Sequence, residues 1–177
     1  VTPAGVNTSP VVSTVGMNMA YYTTNGTEGI GYLKVSPDGK KVAICHVYRG
    51  LELLDFDTST GRLSNPLVLS RRRTQYGIEF SPASEVLYMS DLDGPIYQYD
   101  LNASDIPGSE IEINPNGFGE YGLQLGIDGK IYITNFYRST LSVVHDPNVL
   151  GAGCNYESEA INLGTGVAYS GLPQFIQ

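Results

Sequence analysis

Two histidines, a run of three arginines and one Asp-x-Asp-Gly stretch are the residues of this 177-residue chain best suited to chemistry. Catalysis needs a base, a nucleophile or metal ligands gathered in one place. His145-Asp146 is an adjacent pair, and neighbours on an extended strand point to opposite sides. Asp91-Leu92-Asp93-Gly94 opens like a calcium loop but lacks the rest of the EF-hand pattern, including its closing bidentate Glu. It reads as a tight turn. Gly117 to Gly122 is rich in glycine but opens no helix, so it has no means of cradling phosphate. These residues assign no catalytic group, no metal ligand set and no cofactor.

Arg71-Arg72-Arg73 is the sharpest charge feature. It is read either as a solvated loop that offsets an acidic domain or as a site for an anionic partner such as an acidic glycan. Its meaning depends on what stands beside it, and that depends on the elements that carry it.

Those elements repeat. Ser36-Pro37-Asp38-Gly39-Lys40 recurs 45 residues later as Ser81-Pro82-Ala83-Ser84-Glu85, and 45 later again as Gly126-Ile127-Asp128-Gly129-Lys130. Pro37 presets one turn dihedral and Gly39 accepts a positive φ, which is hairpin chemistry. In the middle unit that chemistry has decayed, so its turn is expected to be less tightly specified. Around each turn lie short runs of alternating apolar and polar residues: Gly31 to Val35 before the first, Val42 to Cys45 and Leu51 to Asp55 after it. Alternation of this kind marks half-buried strands. A period of about 40–50 residues made of four short strands is that of a β-propeller blade.

The expected fold is therefore all-β: a β-propeller with four-stranded blades, about three complete blades plus flanking strands of an incomplete ring. The blades span 31–70, 76–114 and 121–164. Residues 9–14 are expected as the outer strand of a preceding blade and 171–177 as the inner strand of a following one. Val1-Thr2-Pro3 reads as a mature or internal start. Cys45 and Cys154 fall about two blades apart, too far for a disulfide to be expected.

Composition narrows the function. A net charge of −8 argues against nucleic acid, which wants a basic stripe. No stretch approaches the roughly 18–20 apolar residues of a transmembrane segment. Sequons at Asn7, Asn25 and Asn102 suit exposed loops. The strand assignment puts His46 on the face carrying the second-to-third strand loops and His145 on the opposite face. The His46 face should also carry Tyr48, Arg49, Arg71, Arg72, Arg73, Asp91, Asp93, Asn135, Tyr137 and Arg138. Aromatic rings and arginines on loops above a rigid scaffold suit recognition. Lys34, Glu79 and Gln124 point inward from the inner strands and make no coherent metal ligand set.

Asp128 to Asn135, continuing through Leu141-Ser142-Val143-Val144, resembles the YVTN-type propeller repeat of bacterial and archaeal surface proteins. Ser36 to Lys40 is similar to the turn of WD40-like repeats. Asp146 to Gly151, Cys154-Asn155-Tyr156 and Gly171 to Gln177 resemble the end of propeller regions in large secreted or surface proteins of Bacteroidetes, often linked to gliding motility. The resemblance implies an extracellular or cell-surface location and a non-catalytic scaffold with a binding face for protein or glycan. The rest of the ring would come from further chain or a partner chain. The alternative is a lactonase or hydrolase-type propeller enzyme with a metal in the central channel, completed by missing blades.

Overall fold

The computed structural model describes residues 9–18, 30–115, 117 and 119–173. Among the described residues twelve strands form three antiparallel four-stranded sheets, each in simple up-and-down order. The first blade is β1 (Gly31–Val35), β2 (Lys41–His46), β3 (Gly50–Asp57) and β4 (Arg62–Ser70). The second is β5 (Gln75–Phe80), β6 (Val86–Asp91), β7 (Ile96–Asp100) and β8 (Ile111–Glu112). The third is β9 (Glu120–Leu125), β10 (Ile131–Asn135), β11 (Thr140–Val144) and β12 (Tyr156–Asn162). The fold is all-β, and the three propeller blades do not close a ring. No helix among the described residues is long and apolar enough to cross a membrane.

The turn after the first strand forms in all three blades. Gly39 N–H donates to Ser36 O at 2.8 Å, Ser84 N–H to Ser81 O at 2.9 Å and Gly129 N–H to Gly126 O at 3.0 Å. Gly39 and Gly129 take φ of 72° and 78°, and Ser84 is driven to 60° in the same place. The middle turn thus keeps its geometry despite its decayed sequence, with a β-carbon held where glycine is preferred.

Blades stack through apolar faces. Ala43, Cys45, Leu51 and Leu53 of the first blade pack on Ile78, Phe80, Leu87 and Met89 of the second. Val86, Tyr88 and Ile96 of the second pack on Leu123, Ile131, Ile133 and Val144 of the third, with Cys154. Both cysteines are free and buried, one in each of these cores.

The flanks differ from expectation. Residues 9–18 form no strand. They run along the first blade's outer hairpin, where Leu63 N–H donates to the Ser13 hydroxyl at 3.0 Å and Met17 N–H to Glu52 Oε2 at 3.0 Å. Side-chain acceptors replace the backbone ladder that a strand requires, and Pro10 has no N–H to give. At the other end, the carbonyl of Tyr121 lies so close to Gly77 that a Cβ there would sit 2.1 Å from it. The carbonyl of Ser170 crowds Gly122 in the same way, at 2.7 Å. Ser170-Gly171 therefore meets β9 as Tyr121-Gly122 meets β5. Gly171 to Pro173 carry no strand, and 174–177 lie outside the described residues.

Candidate ligand-binding face

The second-to-third strand turns and the links between blades share one face, tied together by repeated backbone bonds. Tyr48 N–H donates to Arg73 O and Tyr137 N–H to Ala168 O, each at 2.9 Å. Arg49 N–H closes its turn on His46 O and Arg138 N–H on Asn135 O, each at 3.0 Å. Tyr48 and Tyr137 sit at φ of 68° and 58°, a left-handed conformation that side chains larger than Asn rarely hold. Both rings are exposed, and the backbones of the two Tyr-Arg pairs match, while the side chains differ: Arg138 is exposed and Arg49 half-buried. The middle turn differs. Asp91 is buried, and its carboxylate accepts Asp93 N–H at 3.2 Å, so it serves the turn, while Asp93 stands beside Tyr121.

A row of rings crosses this face. Tyr32, Tyr76, Tyr121 and Phe136 follow one another at centroid distances of 5.4, 5.5 and 4.5 Å. Phe136 continues to Tyr137 at 4.4 Å, and Tyr137 to Tyr169 at 5.0 Å. Tyr137 and Tyr169 are 65% and 56% exposed, so the row ends in two open rings beside the exposed Arg138. Of the six, sequence reasoning singled out only Tyr137. The available signal was Tyr76 and Tyr121, 45 residues apart at the start of equivalent strands.

The arginine run divides by role. Arg72 lies over the Tyr97 ring at 4.2 Å and grips Glu110 with both terminal nitrogens, Nη2 to Oε1 at 2.6 Å. Tyr99 OH donates to the same carboxylate. Burial alone would raise the Glu110 pKa, but the Arg72 and Tyr99 bonds and the Arg72 charge hold it below the usual range. Arg72 thus joins blades, whereas Arg71 and Arg73 are exposed, and Arg73 offers its carbonyl to Tyr48.

Beneath the row, β1, β5 and β9 meet at the axis. Lys34 Nζ donates to Glu79 Oε2 at 2.7 Å and to Gln124 Oε1 at 3.0 Å. Glu79 Oε2 also accepts Leu125 N–H at 2.9 Å, and Oε1 accepts Phe80 N–H at 3.0 Å. All three residues are buried. The three inward residues that the sequence left unconnected form one hydrogen-bonded triad.

The histidines stay apart. Burial pushes the His46 pKa down against the pull of Glu52, with Arg49 lowering it further. His145 Nε2 lies 2.8 Å from Glu157 Oε2, not on Asp146. Among the described residues no group of three or more His, Cys, Asp or Glu is placed to hold a metal.

No family model matches the chain, and no curated protein does. Solved structures do. The chain is similar to a candidate 6-phosphogluconolactonase from Bacteroides uniformis at 17% identity and a TM-score of 0.50, over 66% of this chain and 36% of that one. The PQQ domain of pyranose dehydrogenase from Coprinopsis cinerea matches at 15% identity and 0.48, over 75% and 40%. Virginiamycin B lyase from Staphylococcus aureus matches at 16% and 0.46, over 63% and 36%. At these identities the likeness concerns the fold alone. The chain spans about 36–40% of the length of these proteins.

Proposed function

We propose that this chain is part of a β-propeller whose loop face recognises glycan or protein without catalysis, on a protein displayed outside the cell. The observation that carries the reading is the row of six rings ending in exposed Tyr137 and Tyr169 beside Arg138. Tyr and Arg are the residues that anchor recognition surfaces, and tyrosine offers a large rigid contact with a polar tip. The left-handed Tyr48 and Tyr137 add to this, because strain of that kind is retained where presentation matters. The surface location rests on the resemblance of 128–144 and 146–177 to surface propellers. Among the described residues nothing covers Leu33 and Val35 on the first blade, which supports completion of the ring by further chain or a partner chain, since propeller blades are stable when neighbours cover both faces.

The enzyme alternative takes its support from fold likeness to a candidate lactonase. Against it stands the axis, where both Glu79 oxygens are already engaged and an ammonium lies where a channel metal would need carboxylates. A glycan array probed with the protein and with a Tyr137→Ala/Tyr169→Ala variant tests the reading. Binding that disappears in the variant is expected. Binding that persists, or lactone hydrolysis that needs added divalent metal, would overturn it.

A further inference from the structure

Exposed charge divides between the two faces of the blades. The second-to-third strand turns and the links between blades expose Arg71, Arg73 and Arg138, and among the described residues Asp93 is the one exposed acid in them. Arg72 is engaged by Glu110. The opposite face carries the first-to-second strand turns and the third-to-fourth connections. There Asp38, Asp57, Glu85, Asp105, Asp128 and Asp146 are all exposed, against exposed Lys40 and Arg62. A chain of net charge −8 thus turns a cationic face one way and an acidic face the other. A cationic surface of this kind draws in acidic partners and repels basic ones.

The rings on the cationic face narrow the partner further. Phe136–Tyr137, Tyr137–Tyr169 and Phe136–Tyr169 all meet edge to face, at centroid distances of 4.4, 5.0 and 6.4 Å and interplanar angles of 71°, 63° and 84°. Such a cluster offers ridges and notches, not the broad flat platform on which a sugar ring would lie. Tyr137 N–H donates to Ala168 O and Ala168 N–H to Arg138 O at 2.7 Å, so Val167, 50% exposed, stands beside Tyr137 and Arg138. A notch between rings and a valine suits an apolar side chain, while a guanidinium can hold a carboxylate by two parallel bonds. Two blades away, Tyr48 N–H donates to Arg73 O, which joins another exposed ring to an exposed arginine. Apolar side chains and carboxylates spaced along one extended ligand are the features of a polypeptide.

We infer that the loop face takes an acidic polypeptide segment, with one of its apolar or aromatic side chains seated against Tyr137, Val167 and Tyr169 and a neighbouring carboxylate held by Arg138. The inference rests on the recognition reading above and commits it to protein as the partner class. A fluorescently labelled random copolymer of glutamate and tyrosine, titrated with the protein and followed by anisotropy, tests it, with polyglutamate and polygalacturonate as acidic controls. The copolymer should bind about tenfold tighter than polyglutamate, and Tyr137→Ala/Tyr169→Ala should abolish that difference. Arg138→Ala should weaken binding about fivefold, as should raising salt from about 0.05 to about 0.3 M. Arg62→Ala, on the opposite face, should leave binding unchanged. Polygalacturonate binding as tight as that of the copolymer, an equal loss with Arg62→Ala, or no binding of the copolymer would overturn the assignment. If the double variant does not fold, Val167→Asp, which sets an acid beside the rings, should weaken copolymer binding as much as Arg138→Ala, and no change there would overturn it equally. Array binding lost in Tyr137→Ala/Tyr169→Ala together with no copolymer binding would remove the polypeptide and leave the wider reading standing.

Discussion

β1 and β5 hold the same place in successive blades, yet they live in different surroundings. Leu33 on β1 is 59% exposed, whereas Ile78, its equivalent 45 residues on, is fully buried. Leu123 in the third blade is fully buried as well. All three strands alternate alike, so the sequence pattern is not what differs. What differs is a neighbour: the Ala43–Cys45–Leu51–Leu53 face covers β5, and no described residue covers β1 in that manner. In this architecture a strand's burial is granted by the blade before it.

The axis is the exception, and breaking it should have the largest effect. Lys34 is buried although the rest of β1 is mostly open, because its ammonium reaches Glu79 and Gln124. Lys34→Met leaves Glu79 buried without its counter-charge and should cost about 3–5 kcal/mol in denaturant unfolding. A loss no larger than that of a surface substitution would mean that the triad does not join the blades.

The comparison itself is tested by paired truncations. Ile78→Ala should cost about 3 kcal/mol and Leu33→Ala less than about 0.5. Equal costs would mean that Leu33 is covered in solution, as completion of the ring on that side would require.

Glu110 in the second blade and Glu120 in the third contrast in pH dependence. Glu110 sits below the usual carboxylate range, so its stabilisation is present above the pH where free carboxyls titrate and is lost as pH falls through its lowered value. Burial raises the Glu120 pKa despite bonds from Tyr156, Ser142 and Asn114, so its ionisation costs stability as pH rises from the free-carboxyl value to the raised one. Glu110→Gln should flatten the acid limb of a stability–pH curve by about 1 kcal/mol, discounted for partial exposure. Glu120→Gln should remove the loss on the upper side. Opposite signs would reverse the roles given to Glu110 and Glu120.

The smallest effect separates the first-strand turns of the same blades. Ser84→Gly relieves a left-handed serine where the first blade has Gly39, but it also removes the bond that Ser84 Oγ accepts from Asp38 N–H. A net gain of roughly 0.5 kcal/mol is expected by thermal unfolding. The matching Gly39→Ser should lose a similar amount.

Much of the fold was legible without coordinates. Turn chemistry and strand alternation act over a few residues, so Ser36 to Lys40 and its two repeats announced the blades, their order and their hairpins. Of the inner strand expected at 171–177, the described residues 171–173 form no strand, although Ser170-Gly171 lies against β9. The outer strand expected at 9–14 is not formed, for a physical reason: a short apolar run becomes a strand only if a backbone ladder partner is present, and here the segment's own Ser13 hydroxyl takes the bond from Leu63 N–H. The candidate site was legible in part. The face was placed by strand order, so Tyr48, Arg49, Tyr137 and Arg138 could be named together.

The sequence by itself determined the period, the strands, the turns and the face on which each loop emerges, because all of these are set by contacts close along the chain. Only the tertiary structure decided partners across blades. It set Arg72 in a clamp on Glu110, left Arg71 exposed and gave the Arg73 carbonyl to Tyr48, and it brought Lys34, Glu79 and Gln124 into one triad. It also lined six rings in a row. Those pairings depend on how closely successive sheets turn about a common axis, and no window of the chain contains that curvature.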